Sequence, residues 1–253
     1  MSEAMSAEFD TVAEWTAEVA RDLGPEFFTP AGCRGSGNPA ALDWLVDELG
    51  LTAGESFLDC GAGVAGPAAY AAQQRAVAPV LIDPEWGACH AARSLFGYPA
   101  VQGSASRLPF GDAAFDAAWS LGVLCTMEDQ SGLLAELRRV VRAPGRLGLI
   151  VFLAEAQLSP QDQPEGNRFP TEESLQQLLS AAGLSIARRL RTAELPEIPP
   201  EWESKVDAVE EALRRRHGHE EAWRLAEEQS DEMGRLLGSG RVTGHVLSLR
   251  FRE

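Results

Sequence analysis

The sequence predicts a doubly wound α/β fold built on a mostly parallel sheet. Three observations carry this. Short apolar runs alternate with helical patterns at close spacing from position 56 to position 153, the signature of a parallel sheet with crossover helices. The stretch E-S-F-L-D-C-G-A-G-V-A-G-P, Glu55–Pro67, reads as a strand, a glycine turn and the start of an alanine-rich helix. A second apolar run, V-L-I-D, again ends in an acid, Asp83. Parallel sheets deliver ligand sites at such strand-to-helix turns, where glycine lets the backbone approach a ligand and the helix offers free N–H groups.

The chain has 253 residues and 45% apolar composition, which suits one large domain with a single core. We divide it into a helical cap over 1–50, a cofactor-binding core over 51–153, and a C-terminal half over 154–253 with a helical insertion at about 194–237. Glu8–Leu23 carries Phe9, Val12, Thr16, Val19 and Leu23 at helical spacing. Gly24-Pro25 ends that helix, and an irregular glycine-rich piece follows. Asn38 before Pro39 marks an N-cap, with a helix running to Leu49 and stopping near Gly50. Strands are expected at Ser56–Cys60, Val80–Asp83, Ala100–Gln102, Phe115–Leu121 and Arg146–Leu153. Helices are expected at Pro67–Arg75, Trp86–Phe96 and Ser131–Arg142. Beyond Leu153 we expect a helix opening at Thr171, a strand at Leu184–Leu190, two acidic helices, and an alternating closing strand over Arg241–Arg252 at or next to a sheet edge. Between Glu194 and Glu232 there are 13 acids against 5 bases, which reads as a solvated helical face.

Net charge is −16; such a surface repels phosphate backbones, so nucleic acid is not an expected partner. No apolar run approaches the roughly 20 residues of a membrane span, and the N-terminus lacks a basic start followed by an apolar block, so neither a membrane nor a secretion signal is expected. Cys33, Cys60, Cys89 and Cys125 are scattered without a C-x-x-C pair. Reduced thiols in the cytoplasm and no metal are the expectation.

Gly61, Gly63 and Gly66 satisfy G-x-G-x-x-G, a pattern nicotinamide and flavin enzymes share. Asp59, two positions earlier, discriminates. A carboxylate there repels a pyrophosphate and favours a cationic ligand such as S-adenosylmethionine, which carries an ammonium, a sulfonium and no phosphate. Asp83 suits a ribose diol of either ligand.

The blocks F-L-D-C-G-A-G-V-A-G-P-A, V-L-I-D, V-Q-G-S-A-S-R-L-P-F-G-D-A-A-F-D-A-A-W-S-L-G-V-L and L-R-R-V-V-R-A-P-G-R-L-G-L resemble the class I, Rossmann-like S-adenosylmethionine-dependent methyltransferases, in particular the small-molecule branch with the quinone, sterol and tocopherol methyltransferases. The resemblance covers about 45–152. It implies a seven-stranded sheet with an antiparallel last strand. It implies S-adenosylmethionine as cofactor and S-adenosylhomocysteine as product. Asp59 with Gly61, Ala62 and Gly63 would hold the methionine moiety and Asp83 the ribose. Pro84 would pack on the adenine, Ser104 and Ala105 would meet its edge, and Leu121 would line the methionine side. Ala65 stands where many members have glycine, and Ser104 where an aspartate usually accepts from the adenine.

The expected activity is methyl transfer to a small organic acceptor, in a cleft built from the N-terminal helices, the loop after the fourth strand and the late helical insertion. The alternatives are a protein that binds the cofactor without transferring methyl and, on the glycines alone, a nicotinamide oxidoreductase. No catalytic residue is assigned. Arg34 is a candidate for an acidic group of substrate or cofactor, or a surface arginine. Cys125 lies where related enzymes often carry histidine. Glu128 and Asp129 fall near the substrate or start a helix. Trp202 and Trp223 line a pocket or pack the late helices. His245 faces the cleft or packs in its strand; His90, His217 and His219 read as structural or surface residues. A homodimer is left open as the assembly.

Overall fold

The computed structural model describes residues 7–35 and 37–252. The first six residues of the N-terminal cap, position 36 in the glycine-rich piece and the last residue lie outside the described residues. A π-helical stretch, Ala7–Val12, runs into helix α1, Ala13–Leu23, which buries Thr16, Val19 and Ala20 and ends at Gly24 with φ 121°. The glycine-rich piece is more ordered than expected. A 3₁₀ turn at Pro25–Phe27 leads into the short helix α2, Phe28–Gly32. Pro25 presets the first turn, and Gly32 allows a backbone contact that a side chain would block. Helix α3, Pro39–Leu49, is capped by Asn38, whose side chain accepts from the Ala41 N–H at 3.0 Å, and closes at Gly50 in the left-handed region.

Strand β1, Ser56–Cys60, leads into helix α4, Gly66–Arg75. Strand β2 is Ala78–Asp83, helix α5 Trp86–Phe96 and strand β3 Ala100–Gln102. Strand β4 is Ala117–Leu121, shorter than expected at its start. There Phe115 bridges instead to Val141, and the Asp116 side chain accepts from the Ser56 N–H at 2.8 Å. Helix α6, Gln130–Val140, precedes strand β5, Leu147–Ala154. Helix α7, Glu172–Ala181, is closed by a capping box from Thr171. Strand β6 is Leu184–Arg191. The insertion forms helices α8, Pro200–His217, and α9, Glu221–Gly238, before strand β7, Val242–Phe251.

The seven strands run in the order β3-β2-β1-β4-β5-β7-β6. All neighbours are parallel except β7, which is antiparallel to both β5 and β6. The closing strand is therefore next to the edge. One sheet face packs Leu58, Ala118 and Leu149 against Leu133 and Leu137 of α6 and Leu175 of α7. The other packs Phe57, Ala117 and Trp119 against Leu42 and Leu45 of α3. A third cluster joins Val19 and Ala20 of α1, Ala91 of α5, and Leu213 and Trp223 of the insertion. The N-terminal cap and the late insertion thus lock onto each other beside the sheet.

The cap is fixed by two glycine contacts. A Cβ on Gly66 would lie 2.2 Å from the Gly32 carbonyl carbon and 2.3 Å from the Cys33 nitrogen, and one on Gly87 would lie 2.3 Å from the Asp10 carbonyl oxygen. Backbone cannot yield as a side-chain tip can. Gly66→Ala is expected to cost about 1–3 kcal/mol by overpacking, lowering Tm by roughly 2–12 °C at about 2–4 °C per kcal/mol for a chain of this size. Calorimetry checks this; an unchanged Tm would mean the cap does not dock on α4 in solution.

Candidate functional site

The β1–α4 turn is built around left-handed backbone. Gly61, Gly63 and Ala65 have φ of 77°, 51° and 69°, and a Cβ on Gly61 would fall 2.3 Å from a Val123 methyl. The Gly61 and Ala62 amides both donate to the Ile82 carbonyl, at 2.8 and 3.1 Å. The Gly63 N–H donates to one oxygen of Asp83 at 2.8 Å, and the Glu85 N–H to the other at 3.0 Å. One carboxylate therefore ties the glycine turn to the start of α5. Burial pushes Asp83 up to about 6, with Glu85 and Asp10 adding to the rise against the two N–H groups.

A cavity of about 660 Å³ opens at the carboxyl ends of β1, β2 and β4, where a doubly wound sheet places its ligand. Gly61, Gly63, Asp83, Pro84, Ser104, Ala105 and Leu121 all line it, as do Arg34 and Glu128. Ser104 Oγ lies 3.0 Å from Ser106 Oγ.

Asp59 and Ala62 stand behind this wall rather than on it. Strand alternation turns Asp59 toward α4 and Trp119. It is 2% exposed, and burial pushes it up to about 7, against the pull of the Trp119 indole and the Ala68 amide. Asp59 Oδ2 and Trp119 Nε1 are nevertheless both buried without a hydrogen-bond partner.

Three residues weighed for substrate lie elsewhere. Cys125 packs with Leu158, Phe169 and Leu236; its thiol donates to the Gly122 carbonyl, and burial pushes it up to about 12. Trp202 packs edge-on against Tyr70, ring centres 6.2 Å apart. His245 points to the opposite sheet face, where Arg189 Nε donates to its Nδ1 at 3.1 Å. Burial first, then the Arg189 charge, pushes it down to about 4, so it stays neutral. Among the other candidates, Asp129 caps α6 by accepting from the Gly132 N–H, Trp223 is buried in the cluster shared by cap and insertion, and His217 stacks on Trp15 at 4.0 Å.

The N-terminal helices and the loop after β4 wall the cavity as expected, though their individual residues were not singled out, and the late insertion supplies none of the described lining residues. Phe9, Ala13 and Thr16 come from the cap, Val64 from the turn, Val123, Thr126 and Met127 from the loop after β4, and Glu165 and Arg168 from the loop before α7. The signal for the loop after β4 was its place at a strand carboxyl end; the loop before α7 carried none. The two arginines of the cavity are paired. Arg34 bonds Glu8, its Nε lies 3.4 Å from Glu210, and its guanidinium sits 5.7 Å over the Trp223 ring. Arg168 pairs with Glu128 at 2.9 Å.

Residues 58–149 match the family model described as a methyltransferase domain. The methyltransferase GfsG of Streptomyces halstedii is 28% identical over 112 residues, covering 42% of this chain and 40% of its own. The 27-O-demethylrifamycin SV methyltransferase of Amycolatopsis mediterranei is 34% identical over 122 residues, covering 44% of this chain and 43% of its own. The chain thus spans about two fifths of the length of these curated relatives. Among solved structures, the [4+2]-cyclase SpnF superposes with a TM-score of 0.64 at 23% identity, over 83% of this chain and 79% of that one.

Proposed function

On the premise that residues 58–149 are a methyltransferase domain, we propose that the chain uses S-adenosylmethionine to methylate an oxygen of a small organic acceptor. The cofactor supplies an electrophilic methyl on a sulfonium, so the protein's task is alignment and exclusion of water. The observation that carries the reading is Asp83: a buried carboxylate on the cavity wall, held by two backbone amides, with acceptor capacity left for a diol. Gly61 and Gly63 supply a turn free of side chains beside it, and Pro84, Ser104, Ala105 and Leu121 the remaining contacts. Asp59 acts from behind the turn, by charge. Acceptor oxygen is inferred because a relative's name specifies O-methylation. Carboxylates are the only ionisable bases among the described lining residues, so they are the side chains available to take a departing hydroxyl proton. A cytoplasmic setting fits the four unpaired, scattered cysteines.

The direct test is isothermal titration with S-adenosylmethionine and S-adenosylhomocysteine, followed by methyl-label transfer to an alcohol panel. Binding of both is expected; none at millimolar ligand would sink the proposal. A second reading keeps the cofactor and drops the transfer. It is favoured by the similarity to SpnF, described as a cyclase. Tight binding with no label transferred across the panel would favour it.

A further inference from the structure

We propose that the acceptor enters this cavity as an uncharged, largely apolar alcohol, and that the site selects against carboxylates and phosphates. The inference rests on the cofactor reading above and concerns the part of the cavity outside the glycine turn. Its walls there are Phe9, Ala13, Val123 and Met127, with the Thr126 hydroxyl turned back to the Val123 carbonyl at 2.8 Å. An apolar wall with few polar groups suits an apolar ligand fixed by a small number of hydrogen bonds.

The charges sharpen this. Glu8, Asp83, Glu85 and Glu128 line the cavity against Arg34 and Arg168, and the lining holds no lysine or histidine among the described residues. Both arginines are committed, Arg34 to Glu8 and Glu210, Arg168 to Glu128. An anionic acceptor meets a surplus of carboxylates and must break an existing ion pair to find a cation. That surplus suits the positive sulfonium and ammonium of the cofactor. It does not suit an amine acceptor. The carboxylates hold an amine protonated, without the lone pair that methyl transfer needs, and the sulfonium repels it. A neutral hydroxyl escapes both penalties.

The test uses the full chain saturated with S-adenosylhomocysteine at pH 7.5. Two probes of matched shape, 2-naphthalenemethanol and 2-naphthoate, are titrated calorimetrically. The alcohol is expected to bind at least about tenfold tighter than the carboxylate, since a single unit charge facing surplus like charge near a protein surface is worth that much. In Glu128→Gln, where Arg168 loses its partner, the naphthoate is expected to gain several-fold relative to the alcohol. Equal or tighter binding of naphthoate to the wild type, or binding of neither probe, overturns the inference. Failure of S-adenosylhomocysteine itself to bind overturns the cofactor reading instead, so the two failures are distinguishable.

Discussion

Replacing Asp83 by alanine is expected to weaken S-adenosylhomocysteine binding at least about 100-fold while the chain stays folded. Hydrogen bonds to a charged group contribute about 1.5–3 kcal/mol each, and two to a ribose diol give at least about 3 kcal/mol, hence two decades in affinity. A second loss adds to this, because the Gly63 and Glu85 amides lose their common acceptor. Asp83→Asn tests the same point more finely. Its amide oxygen satisfies one of those N–H groups, while its NH₂ faces the other donor to donor, so it is expected to recover only part of the affinity. Since Asp83 is raised to about 6, wild-type affinity is expected to be flat above pH 7 and to fall below 6 as the carboxylate gains a proton; neither variant should show that step at this residue. Titration calorimetry between pH 5 and 8 checks it, with circular dichroism as the control for folding. Wild-type affinity in a folded Asp83→Ala would remove this residue from the site.

How much of this was legible in the sequence follows from what local chemistry encodes. The strand, glycine turn and helix at 55–75 were readable because each step has its own residue requirement. Asp83 was readable as an acid at a strand end, and the N-cap Asn38 as a side chain that serves one position. Asp59 shows the limit. Its charge and place in the strand were visible, but the alternation of β1 that turns it away from the cavity, toward Trp119, depends on register with β4. His245 shows the same limit more sharply: its strand was identified, but its face is decided by pairing with β5 and β6. Cys125 was misplaced because a loop near the site can still turn one side chain inward, here into a small cluster with Leu236 of the insertion. The N-terminal helices were expected at the cleft from their place before the first strand, but which α1 residues face it, and the wall from the 165–168 loop, are set by long-range packing that no local pattern announces.

Asp59→Asn is expected to stabilise the ligand-free protein at pH 8 and to weaken its hold on the cationic cofactor. The carboxyl is 2% exposed, one oxygen has no partner, and burial raises it from the ordinary 3.8 to about 7. The folded state therefore keeps a proton that the unfolded chain releases near pH 4. Between about 4 and 7 the native form binds more protons, so this residue's contribution to stability falls as pH rises through that window, and the loss is complete above 7. A shift of this size corresponds to about 4 kcal/mol. Removing it is expected to raise Tm at pH 8 by roughly 8–16 °C and to leave Tm near pH 4 almost unchanged. Scanning calorimetry at the two pH values decides this, and a lower Tm for the variant at pH 8 would show that the carboxylate is better solvated than its burial implies. The binding arm is independent. S-adenosylmethionine carries the sulfonium that S-adenosylhomocysteine lacks, so a carboxylate acting by charge should favour the former. Asp59→Asn is expected to cost more affinity for S-adenosylmethionine than for S-adenosylhomocysteine, and to abolish the proton release that calorimetry in buffers of different ionisation enthalpy should detect for the wild type near pH 7. Equal losses for the two ligands would assign Asp59 to holding the turn in shape; a larger loss for the sulfonium makes it the residue that selects a cation over a pyrophosphate.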